Sequence, residues 1–234
     1  MAVSHTIFND QRRVQMINDD NVLPLWATPL CKTKISEPSS EIVEHLTNKI
    51  EYKYKEYTNA HNSVSLFVLD DEICQPLKDT LMASVTEFLQ YLNVDLEKHE
   101  FYISTSWMNK YKHQDFADMH YHSNSLISGV LYFDNCVDTA DITFHKSQNH
   151  NNLFQDTINI DHKNINEFKK SILYHQRTLN VQPEQWDLLL FPSFVNHSVR
   201  SNRSTEKTRH SLAFNTFVKG TLGSSTSTLI LKHK

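Results

Sequence analysis

Asp118-Met119-His120-Tyr121-His122-Ser123-Asn124-Ser125 runs directly into Leu126-Ile127-Ser128-Gly129-Val130-Leu131-Tyr132-Phe133, and this passage from alternating polar residues into a short apolar strand sets the architecture. If residues 118–122 end a strand, positions 118, 120 and 122 point to one face, because successive strand side chains alternate. A carboxylate and two imidazoles then stand side by side. Those are ligand types that hold iron, manganese or zinc, and ligands alternating on a strand can share one ion without distorting the backbone. In a chain with 14 histidines a His-x-His pair alone is weak evidence, since surface or hydrogen-bonded histidines spell the same pattern.

The passage belongs to a longer change of rhythm. From Glu100 onward the apolar period is two, with strands expected at about 101–112, 126–134, 140–145, 172–181, 187–191 and 209–218. Before it, two stretches carry helical spacing: Ser40 to Tyr57, and Gln75 to Leu92, where Leu77, Leu81, Val85, Leu89 and Leu92 recur every three or four residues. The proline-punctuated run Leu23 to Leu30 reads as an edge strand. Short strands after a helical preface predict a mainly β fold, a sandwich or barrel with helices buttressing one face. Residues 1–22 read as a polar amino-terminal arm and 23–234 as one domain, with the helical buttress at about 40–92 and the β core at about 100–218. Lys146 to Lys170 is rich in Asn, Gln, Asp and Lys and reads as a long loop or flap, the kind of segment that closes over a site.

Composition removes whole classes of function. The chain has 234 residues, 39% of them apolar, a net charge of −4 and only three glycines, Gly129, Gly220 and Gly223, so no glycine-rich phosphate loop can be written. Mild acidity argues against a nucleic-acid partner, which would call for a basic stripe. No stretch approaches the ~20 apolar residues that span a bilayer, and no secretory signal is legible. Cys31, Cys74 and Cys136 form no Cys-x-x-Cys pair, which speaks against a thiolate zinc module and a disulfide framework, and for a cytoplasmic chain.

A second stretch adds to the first. Asp187-Leu188-Leu189-Leu190-Phe191-Pro192-Ser193-Phe194-Val195-Asn196-His197 is an apolar strand, a proline turn and a histidine, and twelve residues later Arg209-His210-Ser211-Leu212-Ala213-Phe214-Asn215 opens another alternating strand. An arginine inside a barrel requires an anion, because an unpaired buried charge is costly. Its planar fork suits a carboxylate. A surface arginine paired with Glu206 is the plainer alternative. Trp107, Phe133, Phe191, Phe194 and Phe214 read as barrel core.

The order of His120-x-His122, Ser128-Gly129-Val130-Leu131-Tyr132, Phe191-Pro192-Ser193, His197 and Arg209-x-Ser211 resembles the iron(II)- and 2-oxoglutarate-dependent oxygenases, and more narrowly a branch found in marine bacteria and phages. The match spans about residues 105–218 and reaches weakly to Pro24–Pro29. The resemblance implies a double-stranded β-helix, a cupin-like jelly roll with the metal inside. It implies His120 and His197 as iron ligands, and Arg209 with Ser211 holding the distal carboxylate of 2-oxoglutarate. Asn109, Tyr111 and Tyr132, chosen by strand phase, are candidate further donors to the co-substrate.

Two departures bear on the site. Most of the superfamily has His-x-Asp, whereas His122 stands at the aspartate's place; the third ligand is then His122, with Asp118 the alternative. A neutral third ligand leaves the site more positive by one charge and should weaken Fe(II) retention before the dicarboxylate binds. The other departure is Trp186, where relatives commonly carry glycine.

The expected activity is that of a dioxygenase using Fe(II), 2-oxoglutarate and O2, a hydroxylase that releases succinate and carbon dioxide. A cupin-like metal protein, or an oxygenase without 2-oxoglutarate, is the other reading, and Arg209 discriminates between them because such a site needs no carboxylate clamp. The substrate, small molecule or peptide, is not legible, nor is the oligomeric state, with which a homodimer is compatible. A phage-encoded chain would act in the host cytoplasm.

Overall fold

The computed structural model describes residues 27–135, 141–146, 177–224 and 226–231. The expected arm at 1–22 and nearly all of the expected flap at 146–170 lie outside the described residues.

The described chain begins with β1 (Cys31–Lys34), then α1 (Ser40–Glu44), which continues as a π-helical turn over His45–Lys49, and a hairpin of β2 (Tyr52–Lys55) and β3 (Ala60–Ser63). After α2 (Gln75–Tyr91) come β4 (Glu100–Tyr111), β5 (Ala117–His120), β6 (Ile127–Tyr132), β7 (Ile142–His145) and β8 (Thr178–Val181). The last strands are β9 (Asp187–Pro192), β10 (His197–Val199), β11 (Arg209–Leu222) and β12 (Leu229–Leu231). They form two antiparallel sheets: a major one in the order β1-β9-β6-β11-β4-β3-β2, with β12 on the end of β11, and a minor one in the order β5-β10-β7-β8. This is the double-stranded β-helix that the resemblance implies, and it meets the mainly β sandwich or barrel expected from the strand pattern.

Period two decides what packs where. On the outer face of the major sheet, Met108, Leu131, Leu188, Leu190, Leu212 and Phe214 join Leu77, Leu81, Val85 and Leu89 of α2 in the largest core. On the inner face, Val130, Tyr132, Leu189 and Phe191 meet Ile142 and Phe144 of the minor sheet. The helix that seals the outer face starts with Pro76 in its first turn and ends before Asn93, which takes the left-handed conformation at φ 60°.

Gly129 is required by this packing. It pairs with Phe214 across β6 and β11, and a Cβ built on it would lie 2.1 Å from Cζ of that ring. Phe214 is fully buried and has nowhere to retreat.

Three sequence expectations are corrected. Ser40–Tyr57 is not one helix: Ile50 is already extended, and Tyr52–Lys55 pairs with Ala60–Ser63, which in turn pairs with β4. The Tyr-Lys alternation follows the strand period, and the open edge of the major sheet supplies the partner that local spacing could not show. The edge strand lies beyond Pro29, at Cys31–Lys34 on β9, and no strand runs through 27–30. Phe194 is no core residue, because the Pro192-Ser193 turn leaves it 64% exposed, while Phe133, Phe191 and Phe214 are buried. Trp186 sits at φ 65°, a conformation that favours glycine. Its N–H donates to the Tyr132 carbonyl, its own carbonyl accepts from Ile35, and its ring packs edge-on against Phe133 at 5.3 Å. Among the described residues no helix is long and apolar enough to cross a membrane.

Candidate metal centre

The minor sheet sets two of the three histidines. His120, at the end of β5, is the direct antiparallel partner of His197, which opens β10, so both rings face the interior between the sheets. The third follows by parity, although the strand has ended: the His122 backbone N–H donates to the Ser193 carbonyl at 2.9 Å, carrying the chain across to the β9–β10 turn. Ring centroids lie 4.3 Å apart for His120 and His197, 5.1 Å for His122 and His197, and 5.4 Å for His120 and His122. One nitrogen from each lies within 4.8 Å of the others.

Each Nδ1 is engaged by an oxygen. That of His120 is 2.7 Å from the Asp118 carbonyl, that of His197 is 3.0 Å from the Val195 carbonyl, and that of His122 is 2.6 Å from Asn215 Oδ1. A carbonyl oxygen only accepts, so the ring proton belongs on Nδ1 and Nε2 keeps its lone pair. Such partners are the usual means of fixing a ligating imidazole.

Burial and mutual repulsion favour the neutral form of two of the three, His197 and His122. Burial pushes the imidazolium pKa of His197 down to about 3, with the neighbouring His120 and His122 adding repulsion. Burial lowers that of His122 too, partly offset by its bond to Asn215. Neutral imidazole is the form that binds a metal. Phe144 and Phe191 flank His197, with ring centroids at 6.2 and 5.0 Å, so one wall of the centre is apolar. His120, by contrast, is exposed. This donor set fits a divalent first-row ion. Asp118 lies apart from the three: its carboxylate is exposed and accepts from Asn59 Nδ2 at 3.0 Å.

The other expected residues line the inner face of the major sheet. Across β11, Arg209 pairs with Tyr111, and Ser211 with both Asn109 and Tyr132, so all five share one face. Arg209 is only 1% exposed, which removes the surface alternative, and its guanidinium lies over the Tyr111 and Tyr132 rings at 4.4 and 5.5 Å. Burial raises the Tyr111 phenol pKa, so it stays a hydrogen-bond donor. Asn109 Oδ1 accepts from Asn62 Nδ2 at 2.7 Å and Trp107 Nε1 at 3.1 Å, which leaves the amide nitrogen as the end free to donate elsewhere. Between the Arg209 end and the histidine end stands Ala213, facing Trp107 and Val130; its single methyl leaves the floor low. A permanent cation, hydroxyls and amide N–H groups make a carboxylate-binding set.

Sequence reasoning missed Asn215, Ser128, Ser193 and Asn62. The parity of Arg209, Ser211, Ala213 and Asn215 was a signal for Asn215. Nothing local places Ser193 against Ser128, 2.8 Å away and 65 residues distant.

Residues 105–215 match the family model described as "Putative 2OG-Fe(II) oxygenase". No curated protein matches the sequence. Among solved structures, the chain is similar to a Pseudomonas putida prolyl-4-hydroxylase at 16% identity and a TM-score of 0.52, covering 80% of this chain and 92% of that one. It is also similar to the non-heme alpha-ketoglutarate-dependent epimerase SnoN from nogalamycin biosynthesis, at 12% identity and 0.55, covering 81% and 78%. A third is a Trichoplax adhaerens prolyl hydroxylase bound to a hypoxia-inducible-factor peptide, at 13% and 0.51, covering 80% and 83%. At these identities the structural likeness establishes the fold.

Proposed function

From the match of residues 105–215 to the 2OG-Fe(II) oxygenase family model and the geometry of the site, we propose that this chain is a hydroxylase of that family whose iron is held by His120, His122 and His197 and whose 2-oxoglutarate is clamped by Arg209 and Ser211. One observation carries the reading: three imidazoles converge at one end of a barrel floor whose other end holds a buried guanidinium. A cupin-like metal protein without the co-substrate would need no carboxylate clamp.

Bound there, iron(II) supplies the oxygen chemistry by which 2-oxoglutarate becomes succinate and carbon dioxide while the substrate gains an oxygen atom. The chain's part is to orient and to exclude. Arg209 fixes the distal carboxylate, Ser211, Tyr132 and the protonated Tyr111 donate toward it, and the Asn109 amide nitrogen is held in place by the bonds to its own oxygen. Ala213 leaves space for the carbon chain between clamp and histidines. Phe144 and Phe191 keep water from the side of His197. Because all three ligands are neutral, the dicarboxylate supplies the negative charge that a carboxylate ligand would otherwise bring.

The test is anaerobic addition of Fe(II) and 2-oxoglutarate to the metal-free protein, which should give a metal-to-ligand charge-transfer absorption that Arg209→Met abolishes. An absent band, or one indifferent to Arg209→Met, would overturn the co-substrate assignment. Iron content of His122→Ala against Asp118→Ala decides the third ligand: metal loss in Asp118→Ala alone would exclude His122.

A further inference from the structure

The three histidines are not held alike. His120 and His197 each rest Nδ1 on a backbone carbonyl two residues earlier in the chain, Asp118 within β5 and Val195 in the turn that leads into β10. Those acceptors come with the chain and no side-chain substitution removes them. His122 has no such carbonyl and depends on a side chain of another strand, with Asn215 Oδ1 at 2.6 Å and Ser128 Oγ at 2.9 Å.

Ser128 by itself leaves the ring undecided, since a hydroxyl can donate to Nδ1 or accept from it. Asn215 settles the choice. Its Oδ1 receives the Ser128 hydroxyl at 2.9 Å as well as the ring N–H, so the Ser128 proton is committed away from the imidazole. The amide is oriented from its far side, where Nδ2 donates to Thr105 Oγ1 at 3.3 Å. Turned the other way, the carboxamide would donate to Nδ1 and leave the ring proton on Nε2, where it blocks coordination. Ser193 Oγ sits 2.8 Å from Ser128 and 2.7 Å from Ser125, so the serine is itself held.

We propose that Asn215 is the positioning residue that makes His122 a metal ligand, by holding its ring in the Nδ1–H tautomer with Nε2 aimed at the ion. The proposal rests on the metal centre put forward above and adds a determinant: the character of the third ligand is controlled from β11, the strand that also bears Arg209 and Ser211. The presence of an acceptor at position 215, and not the His-x-His spelling alone, then separates a three-histidine centre from one with a spare, non-ligating His122.

The experiment titrates the metal-free full chain with Co(II), followed by its visible absorption. It compares wild type, Asn215→Leu, Asn215→Asp, His122→Ala, the double variant His122→Ala/Asn215→Leu, and His197→Ala. Asn215→Leu keeps the volume without the acceptor and is expected to weaken Co(II) about 10- to 100-fold, the usual effect of losing such a partner. Asn215→Asp keeps the acceptor and should restore binding. In the His122→Ala background Asn215→Leu should cost nothing further, a result that a merely structural role would not give. As a readout without metal, the His122 ring 15N shifts should move from the Nδ1–H to the Nε2–H pattern in Asn215→Leu, with far-UV circular dichroism confirming the fold. Unchanged Co(II) affinity in Asn215→Leu, an equal loss with and without His122, or an unaltered tautomer would each overturn the proposal. Failure of His197→Ala to weaken Co(II) would instead overturn the metal centre itself. If Asn215→Leu does not fold, the tautomer comparison of wild type with Ser128→Ala decides: wild-type rings in the Nε2–H form would overturn it.

Discussion

The two faces of β11 have opposite duties. Leu212 and Phe214 point outward into the core under α2 and are fully buried, whereas Arg209, Ser211, Ala213 and Asn215 point inward to the proposed co-substrate floor and the histidines. One strand thus serves stability with its even positions and binding with its odd ones. The pleat is what keeps the two separable.

The sharpest way to break this division is on the outer face. Phe214→Ala should cost about 3–5 kcal/mol of stability, read as a lowered urea midpoint. Gly129→Ala drives a methyl into the same ring and should cost about 1–3 kcal/mol; Phe214→Leu should relieve part of that loss in the double variant. If either outer-face change left stability intact while abolishing co-substrate binding, the division would fail. On the inner face Arg209→Met should lose about 2–5 kcal/mol of 2-oxoglutarate affinity by anaerobic calorimetry, with an unfolding midpoint much closer to wild type than that of Phe214→Ala.

Acid tests the histidine side of the barrel. His197 is held neutral in the fold down to about 3, against 6.5 for a free imidazole. Below pH 6.5 the unfolded chain therefore takes up a proton that the folded chain refuses, so the metal-free protein should lose stability as pH falls, by up to about 1.4 kcal/mol per unit for this group. The loss stops near pH 3, where the folded form also protonates. His197→Phe should flatten the slope between pH 6.5 and 4 in urea melts, and an unchanged slope would count against a neutral buried His197.

The smallest effect is expected at Trp186. Glycine there would relieve the left-handed backbone but lose the contact with Phe133 and add backbone freedom to the unfolded chain. These terms oppose, and Trp186→Gly should move stability by no more than about 1 kcal/mol, with metal and co-substrate affinity unchanged.

Much of this was legible before folding was considered. The helix at Gln75 and the strands near 101, 126, 187 and 209 follow from apolar period, and their sheet matches the resemblance. The reading failed where partners lie far away. Tyr52–Lys55 has a helix-compatible neighbourhood, and only its hairpin with Ala60–Ser63 beside β4 makes it a strand. Phe194 looked apolar enough for the core, yet the turn at Pro192 places it outside.

For the site, the sequence by itself determined which residue types were present and their order: two histidines one residue apart, a third after a proline turn, and an arginine twelve residues on. Strand parity also told that Arg209 and Ser211 share a face. Only the tertiary structure decided that His120 pairs with His197 across two strands 77 residues apart in sequence, that Arg209 is sealed over two tyrosines, and that Asn215 rather than a neighbouring carbonyl holds His122. Ligand chemistry is a property of side chains and can be spelled out in sequence. The direction in which an imidazole presents its lone pair depends on the oxygen that meets its other nitrogen, and for His122 that oxygen is 93 residues away.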